Sequence, residues 1–349
     1  MKISILTFPK AINYGTALQA VALKKKLESF GNEVCFLEHN CDEIEKSNKV
    51  FDLRDAINPK YTLAHLYNLP VAIKRKNHFK DFRKNFMTFS NEAPQSFDAV
   101  VAGSDQIWNY NLTKSDWSYF LNFEKQNTKK VAYAGSFGLS SIDDDKKETI
   151  KNCLLDFDHL SVREKTAQDI LQNEFGIKSE LVLDPTLLLT ETEWEDFYNK
   201  DLYSSGFIYV YTVFNSPTLW DFAYKLSKKT GKKIRTIRYS KLHKPEADCS
   251  FTSGPGEWLS HMSGADYVVT NSFHGVAFSI NFNKQFFFEL PPEKSGVGSR
   301  LSDITARYDL GNREISRADT DEVIDYTEIN KKLNDDRLAS EEFIKNFLK

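Results

Sequence analysis

The chain has 349 residues, more than one hydrophobic core usually serves, so two domains are expected. With 41% hydrophobic and 27% charged residues it reads as a soluble globular protein, and 46 basic against 49 acidic side chains, a net charge of -3, argue against a dedicated nucleic-acid binder. No stretch is apolar for long enough to span a bilayer, Met1-Lys2-Ile3-Ser4-Ile5-Leu6 turns polar too soon for a signal peptide, and Cys35, Cys41, Cys153 and Cys249 have neither zinc spacing nor disulfide density; these features predict a cytoplasmic protein with reduced thiols.

In chain order, residues 2–7 predict a strand, 15–30 a helix with Leu18, Val21, Ala22 and Leu27 inward, and 33–38 a second strand. This βαβ opening predicts a parallel sheet flanked by helices. Strands at 98–102, 131–134, 159–162 and 180–183 extend it into a first α/β domain over residues 1–189. The alternation restarts with a strand at 207–214, a helix at 217–229, a strand at 233–239, a helix at 257–262 and strands at 266–270 and 285–290. That gives a second α/β domain over 190–328, with the polar stretch 190–205 as connection. Residues 329–349 read as an amphipathic helix packing back on the first domain through Leu333, Leu338, Phe343 and Leu348. Two parallel-sheet domains of this kind would face each other across a central cleft.

Ligands of open α/β sheets collect beyond the carboxyl ends of strands, so the segments there are the candidate sites. After the first strand comes Asn13-Tyr14-Gly15-Thr16-Ala17-Leu18-Gln19: Asn13 can cap the helix and Gly15 keeps the turn open, as a structural cap or as part of a binding loop. It is not a P-loop, because the Gly-Lys-Ser/Thr ending is missing. The strand 98–102 runs into Gly103-Ser104-Asp105-Gln106-Ile107-Trp108-Asn109, where Asp105 either orients or deprotonates a sugar hydroxyl or caps a short helix through Ile107 and Trp108. Arg163 closes the strand 159–162 and precedes a helix over 165–172. A cation there opposes the helix dipole and calls for an anion: Glu164 as a surface pair, or a phosphate or carboxylate held bidentately. Asp184-Pro185-Thr186 shapes the floor of the cleft and stays outside the chemistry. Last, the apolar strand Val268-Val269-Thr270 meets Asn271-Ser272-Phe273-His274-Gly275, with Asn271 or Ser272 as helix cap, Gly275 allowing close ligand approach, and His274 either a structural histidine or a reactive one at a strand's end.

Other signals carry less. Asp143-Asp144-Asp145 is explained by helix capping, and Gly254-Pro255-Gly256 and Gly296-Val297-Gly298 lack the dinucleotide fingerprint. No metal-binding spacing occurs. The basic run Lys74-Arg75-Lys76, Lys80, Arg83 and Lys84 is interleaved with Phe79, Phe82, Phe86 and Phe89 at near-helical spacing: a buried aromatic stripe with a solvated basic face that could rest on anionic lipid headgroups.

In this order, the segments Asn13-Tyr14-Gly15-Thr16-Ala17-Leu18-Gln19, Gly103-Ser104-Asp105-Gln106-Ile107-Trp108, Tyr133-Ala134-Gly135-Ser136-Phe137-Gly138, Ser161-Val162-Arg163-Glu164, Asp184-Pro185-Thr186 and Ser272-Phe273-His274-Gly275 resemble the polysaccharide pyruvyl transferase family. The resemblance covers roughly residues 1 to 310. It implies a GT-B-like fold of two Rossmann-like domains. The implied reaction moves a pyruvyl group from phosphoenolpyruvate, a co-substrate rather than a bound cofactor, to two hydroxyls of a sugar or lipid-linked oligosaccharide, forming a cyclic ketal. Family members bind phosphoenolpyruvate with arginines and a histidine, and Arg163 and His274 match those positions. Where some members carry Arg-Leu-His, this chain has Ser272-Phe273-His274, and Arg300 is the candidate replacement for the missing arginine.

For the reaction the resemblance implies, His274 is the expected general acid, Arg163 would hold the donor and the departing phosphate, and Asp105 would orient or deprotonate the acceptor hydroxyl. Asn271, Ser272, Gly275 and Arg300 complete the donor side, and Asn13, Tyr14, Gly15 and Ser104 line the acceptor side. Two rival functions share the expected fold or composition. One is a glycosyltransferase holding a nucleotide sugar at Gly254-Pro255-Gly256-Glu257 and the His274 loop; the other is a non-catalytic glycan-binding subunit.

Overall fold

The structure, a computed structural model, describes residues 1–46, 59–198, 204–238, 245–250, 252–291 and 298–349. Tyr239, residues 199–203 of the expected connection, and Gly296-Val297 lie outside the described residues. Seven parallel strands form the first sheet: β1 (Lys2–Leu6), β2 (Glu33–Leu37), β3 (Phe89–Ser90), β4 (Ala99–Ala102), β5 (Lys129–Gly135), β6 (His159–Val162) and β7 (Glu180–Leu181), in the order β3-β2-β1-β4-β5-β6-β7. Five more form the second: β8 (Phe207–Tyr211), β9 (Lys233–Ile237), β10 (Asp248–Ser250), β11 (Ala265–Thr270) and β12 (Gln285–Phe288), in the order β10-β9-β8-β11-β12 and again parallel.

Strand order reverses beside β1 in the first sheet and beside β8 in the second, so the loops after β1 and β4, and after β8 and β11, open the crevices where ligands bind such sheets. The expected strands at 207–214 and 285–290 stop earlier, at Tyr211 and Phe288. There the chain turns away to make the loops. The two-residue β3 and three-residue β10 were not expected; both sit at sheet edges and are too short to show alternation.

One continuous core joins the two sheets. It runs from Ile3 and Ile5 on β1 through Leu18 and Leu23 to Val268 on β11 and Phe278. The helix Phe273–Asn281 lies inside it with all nine residues buried, and the helix Tyr14–Ser29 buries even Gln19 and most of Lys26. A helix apolar nearly all round is one packed on several sides, which is what a place between two sheets requires. Phe79 and Phe82 of the helix Pro59–Phe86 join the same core, in line with the expected aromatic stripe.

The closing helix, Thr327–Leu348, packs back on the first sheet. Ser340 Oγ accepts from the Leu183 N–H (2.9 Å), Lys129 Nζ donates to the Phe347 carbonyl (2.9 Å), and the Phe343 ring meets Tyr133. Arg337 donates to the Leu187 carbonyl and to Asn281 Oδ1 of the second domain, tying both. The inward face is Leu333, Ser340, Phe343, Ile344 and Phe347; Leu338, expected inside, is 63% exposed because it sits five residues past Leu333, off the i, i+7 line. Phe343→Ala is expected to cost about 3–5 kcal/mol in denaturant unfolding, and Leu338→Ala to stay within about 0.5 kcal/mol of the parent.

Candidate active site

Arg163 follows β6 and is fully buried at the carboxyl end of the first sheet, with three carboxylates around it. Nη1 donates to Asp184 Oδ2 (2.7 Å) and Ser104 Oγ (3.2 Å), Nε donates to Glu164 Oε2 (3.3 Å), and Nη2 lies 3.5 Å from Asp105 Oδ1. Burial alone would lower the guanidinium pKa; Asp184, then Glu164 and Asp105, outweigh it and raise it. Arg163 is a permanent cation.

Two expectations change here. Glu164 is no surface partner: it is 5% exposed, accepts from Arg163, and also accepts from the Ser136 hydroxyl. Asp184 is not confined to the floor. It does cap the short helix Pro185–Leu188, with Oδ1 accepting from Thr186 N–H and Oγ1 at 2.9 and 2.7 Å, but its other oxygen takes Arg163 and the Ser104 hydroxyl (3.0 Å). Burial pushes its pKa up and Arg163 and His274 more than reverse that, so it stays ionised.

Asp105 sits in the left-handed region, φ +85°, and makes an isolated parallel bridge to Gly135. No helix runs through Ile107 and Trp108; the chain turns there, Trp108 packs on Phe120 and Phe137, and the capping alternative for Asp105 falls away. Its Oδ1 accepts from the Gln106 N–H (2.9 Å) and its Oδ2 from Thr16 Oγ1 (2.5 Å) at the start of the helix Tyr14–Ser29. Such a backbone conformation costs a non-glycine residue about 1–3 kcal/mol and persists only when its surroundings hold it. Burial raises the Asp105 pKa, while Arg163, His274 and the Thr16 bond hold it below the usual carboxylate range.

The second domain supplies His274. Ser272 is the cap, its hydroxyl accepting from the Gly275 N–H (3.3 Å), while Asn271 is spent on the β8 loop, accepting from Val213 N–H (2.8 Å) and donating to the Phe214 carbonyl (3.1 Å). Gly275 serves packing rather than ligand approach: a Cβ there would overlap the Thr270 side chain. His274 lies directly on Gly15 of the first domain, where a Cβ would overlap the imidazole. His274 is 8% exposed, and its Nε2 is buried with no hydrogen-bond partner among the described residues. Burial takes its pKa down to about 4, against the pull of Asp184 and Asp105, so the imidazole is neutral at pH 7.

Arg300, on the helix Gly298–Arg307, is buried in the same cluster, and Phe273 lies between the cations: its ring is 4.9 Å from the Arg163 guanidinium and 5.9 Å from that of Arg300. Burial and then Arg163 lower the Arg300 pKa. A pocket of about 300 Å³ opens beside them, lined by Arg163, Asp184, Phe273, Arg300, Asp303 and Tyr308 among others. Among the described residues, no group of three His, Cys, Asp or Glu side chains is arranged to hold a metal ion.

The expected acceptor side is only partly open. Asn13 is exposed and caps its helix by accepting from the Thr16 N–H (3.2 Å). Tyr14 is 1% exposed: it stacks on Trp258, meets Phe79 and Tyr211, and donates to the Ser253 carbonyl (2.8 Å), so it bridges the domains and lines no open surface. Ser104 is likewise sealed, between Arg163 and Asp184. Thr16, Gln106 and Phe273 belong to the cluster without having been given a role in the sequence; all three lie within the strand-end segments, which was the available signal.

A sequence profile described as polysaccharide pyruvyl transferase matches residues 13–288. The chain belongs to this family. The match takes in Asn13, Asp105, Arg163 and His274 and ends before Arg300. No curated protein matches the sequence. Solved structures resemble it in fold. UDP-GlcNAc 2-epimerase from Methanocaldococcus jannaschii aligns at 14% identity over 96% of this chain and 91% of its own, with a TM-score of 0.51. UDP-GlcNAc 2-epimerase from Neisseria meningitidis aligns at 10% over 97% and 100% (TM-score 0.45), and E. coli heptosyltransferase WaaC at 12% over 84% and 89% (TM-score 0.39). The architecture is that of the GT-B enzymes, two parallel-sheet α/β domains.

In this family member the domain contact at Gly15 sets the histidine's place. Gly15→Ala should displace the imidazole while leaving the cap at Asn13 intact. The expected outcome is a folded protein, by circular dichroism and cooperative melting, whose His274 ring resonances shift in NMR; an unchanged His274 environment would contradict the contact.

Proposed function

We propose that the protein transfers a pyruvyl group from phosphoenolpyruvate to two hydroxyls of one sugar in a glycan precursor, forming a cyclic ketal and releasing phosphate. Beyond family membership, one observation carries this reading. Three nitrogens of the cluster are buried without hydrogen-bond partners among the described residues: Arg163 Nη2, which has only the longer ion-pair contact with Asp105, Arg300 Nε and His274 Nε2. An orphaned buried polar atom costs about 1–3 kcal/mol, so three in one cluster fit a ligand with several acceptor oxygens. Phosphate and carboxylate on one small molecule supply them.

The residues divide the work by what each has left to give. Arg163 has Nη1 and Nε engaged and offers Nη2; Arg300 offers Nε. Together they would balance the donor and stabilise the phosphate as it departs. The enol ether needs a proton on its methylene carbon before the adjacent carbon can accept a hydroxyl, and His274 is the group placed to deliver it. Its neutral state follows from burial, which outweighs the pull of Asp184 and Asp105. A bound phosphate adds negative charge and favours the imidazolium. The first sugar hydroxyl then attacks as its proton returns to His274, the carbon–oxygen bond to phosphate breaks, and the second hydroxyl attacks the same carbon to close the ketal, its proton leaving with the phosphate. Asp105, held ionised, orients the acceptor hydroxyl.

The acceptor side faces the first domain, whose helix Pro59–Phe86 exposes Lys74, Lys76, Lys80 and Lys84. That basic face suits anionic headgroups, and so a lipid-linked oligosaccharide acceptor at the inner face of a membrane. No helix among the described residues is long and apolar enough to cross one. Against a nucleotide-sugar donor, the Gly254 N–H is already taken by Glu257 Oε2 (2.8 Å), and the other Glu257 oxygen pairs with His78 (3.0 Å), so this amide is not open to a diphosphate.

Thermal melting with ligands tests the assignment, because a ligand bound only by the native state at 100 times its Kd adds about 2.7 kcal/mol. Phosphoenolpyruvate is expected to raise the melting temperature of the parent and of His274→Ala, with phosphate release lost by at least about 100-fold in the variant. Stabilisation by UDP or GDP sugars alone, or near-normal turnover in His274→Ala, would contradict it.

A further inference from the structure

Gln106 belongs to the loop after β4 and has no role in the chemistry above. Its side-chain amide oxygen has two claimants. Turned toward Arg300, it accepts from Nη1 at 3.1 Å and Nη2 at 2.9 Å; turned the other way, it accepts from Asn109 Nδ2 at 3.0 Å and points its own NH2 at the guanidinium. Two bonds from a cation outweigh one from a neutral amide, so the first orientation holds. The fit is tight: Gly138, at φ +61°, faces this amide, and any Cβ there would overlap it.

We infer that Gln106 is a positioning residue for Arg300, clasping the guanidinium across the domain boundary so that Nε–H is left for an anionic donor. An oxygen shared by both Nη atoms lies on the far side of the guanidinium from Nε, and that Nε is the buried, unpartnered atom. The partner's neutrality matters as much as its place. A carboxylate would quench the one arginine of the cluster that has no bonded acid; Arg163 already has Asp184 and Glu164. The clasp also accounts for Ser272. With no arginine at the start of the helix Phe273–Asn281, the second cation comes from the helix Gly298–Arg307 and needs an anchor from the first domain. Phe273 packs on both cations and keeps them on one ring.

The inference rests on the donor-anion reading above, and the test separates the two. Phosphoenolpyruvate and inorganic phosphate are titrated by calorimetry into the parent, Arg300→Ala, Gln106→Ala, Gln106→Glu and the double variant Arg300→Ala/Gln106→Ala. Each single alanine change is expected to weaken both anions about tenfold, and the double variant to bind no more weakly than Arg300→Ala, the mark of two residues acting as one. Gln106→Glu should weaken both anions at an unchanged melting temperature, and it supplies the same comparison if Gln106→Ala does not fold. Additive losses, or a parent protein that binds neither anion, would overturn the clasp. Coupling seen with inorganic phosphate in a protein that ignores phosphoenolpyruvate would uphold the clasp and remove the donor assignment.

Discussion

The site depends on one buried cation. Taking a guanidinium out of water costs several kcal/mol, and Arg163 is tolerated only because Asp184, Glu164 and Asp105 surround it. Each of those carboxylates comes from a different strand end or helix start, so the pairing also fixes the loops after β4, β6 and β7 relative to one another. Removing one partner from such an arrangement typically costs about 3–5 kcal/mol, because the remaining charge is left buried and uncompensated. The requirement that Arg163 be neutralised is therefore also what assembles the first-domain half of the site.

The second domain adds its groups to that field rather than making its own. His274 is set on Gly15 and stays neutral because burial outweighs the two nearby aspartates; Arg300 is set on Gln106 and shares Phe273 with Arg163. Both contacts cross the domain boundary, as does Tyr14 with Ser253 and Trp258. The interface is thus dry and aromatic around Tyr14, and polar with unfilled donors around Arg300 and His274. The aromatic half fixes the geometry, and the polar half keeps buried nitrogens on Arg163, Arg300 and His274 without hydrogen-bond partners among the described residues.

Much of the architecture was legible because it repeats simple periods. Apolar runs followed by helical patterns marked most strands within a few residues, and strand ends marked where Asp105, Arg163 and His274 would gather. What escaped has physical reasons. β3 and β10 are pairing decisions of two or three residues, made by neighbouring strands. Asp184 reads locally as a turn former, and it is one; its second oxygen meets Arg163 only once β6 and β7 lie side by side. Tyr14 reads as part of a ligand loop, yet its ring faces helices that are distant in sequence. Gln106 has no local signature, since its partner lies almost two hundred residues away. Local chemistry shows in sequence; contacts between domains do not.

The central claim is that donor binding brings a proton to His274. Calorimetric titration of phosphoenolpyruvate near pH 7, repeated in buffers of different ionisation enthalpy, counts protons exchanged on binding. The account predicts net proton uptake in the parent that is lost in His274→Gln, since only the loaded cluster favours the imidazolium. Binding without uptake, or uptake that survives in His274→Gln, would contradict it.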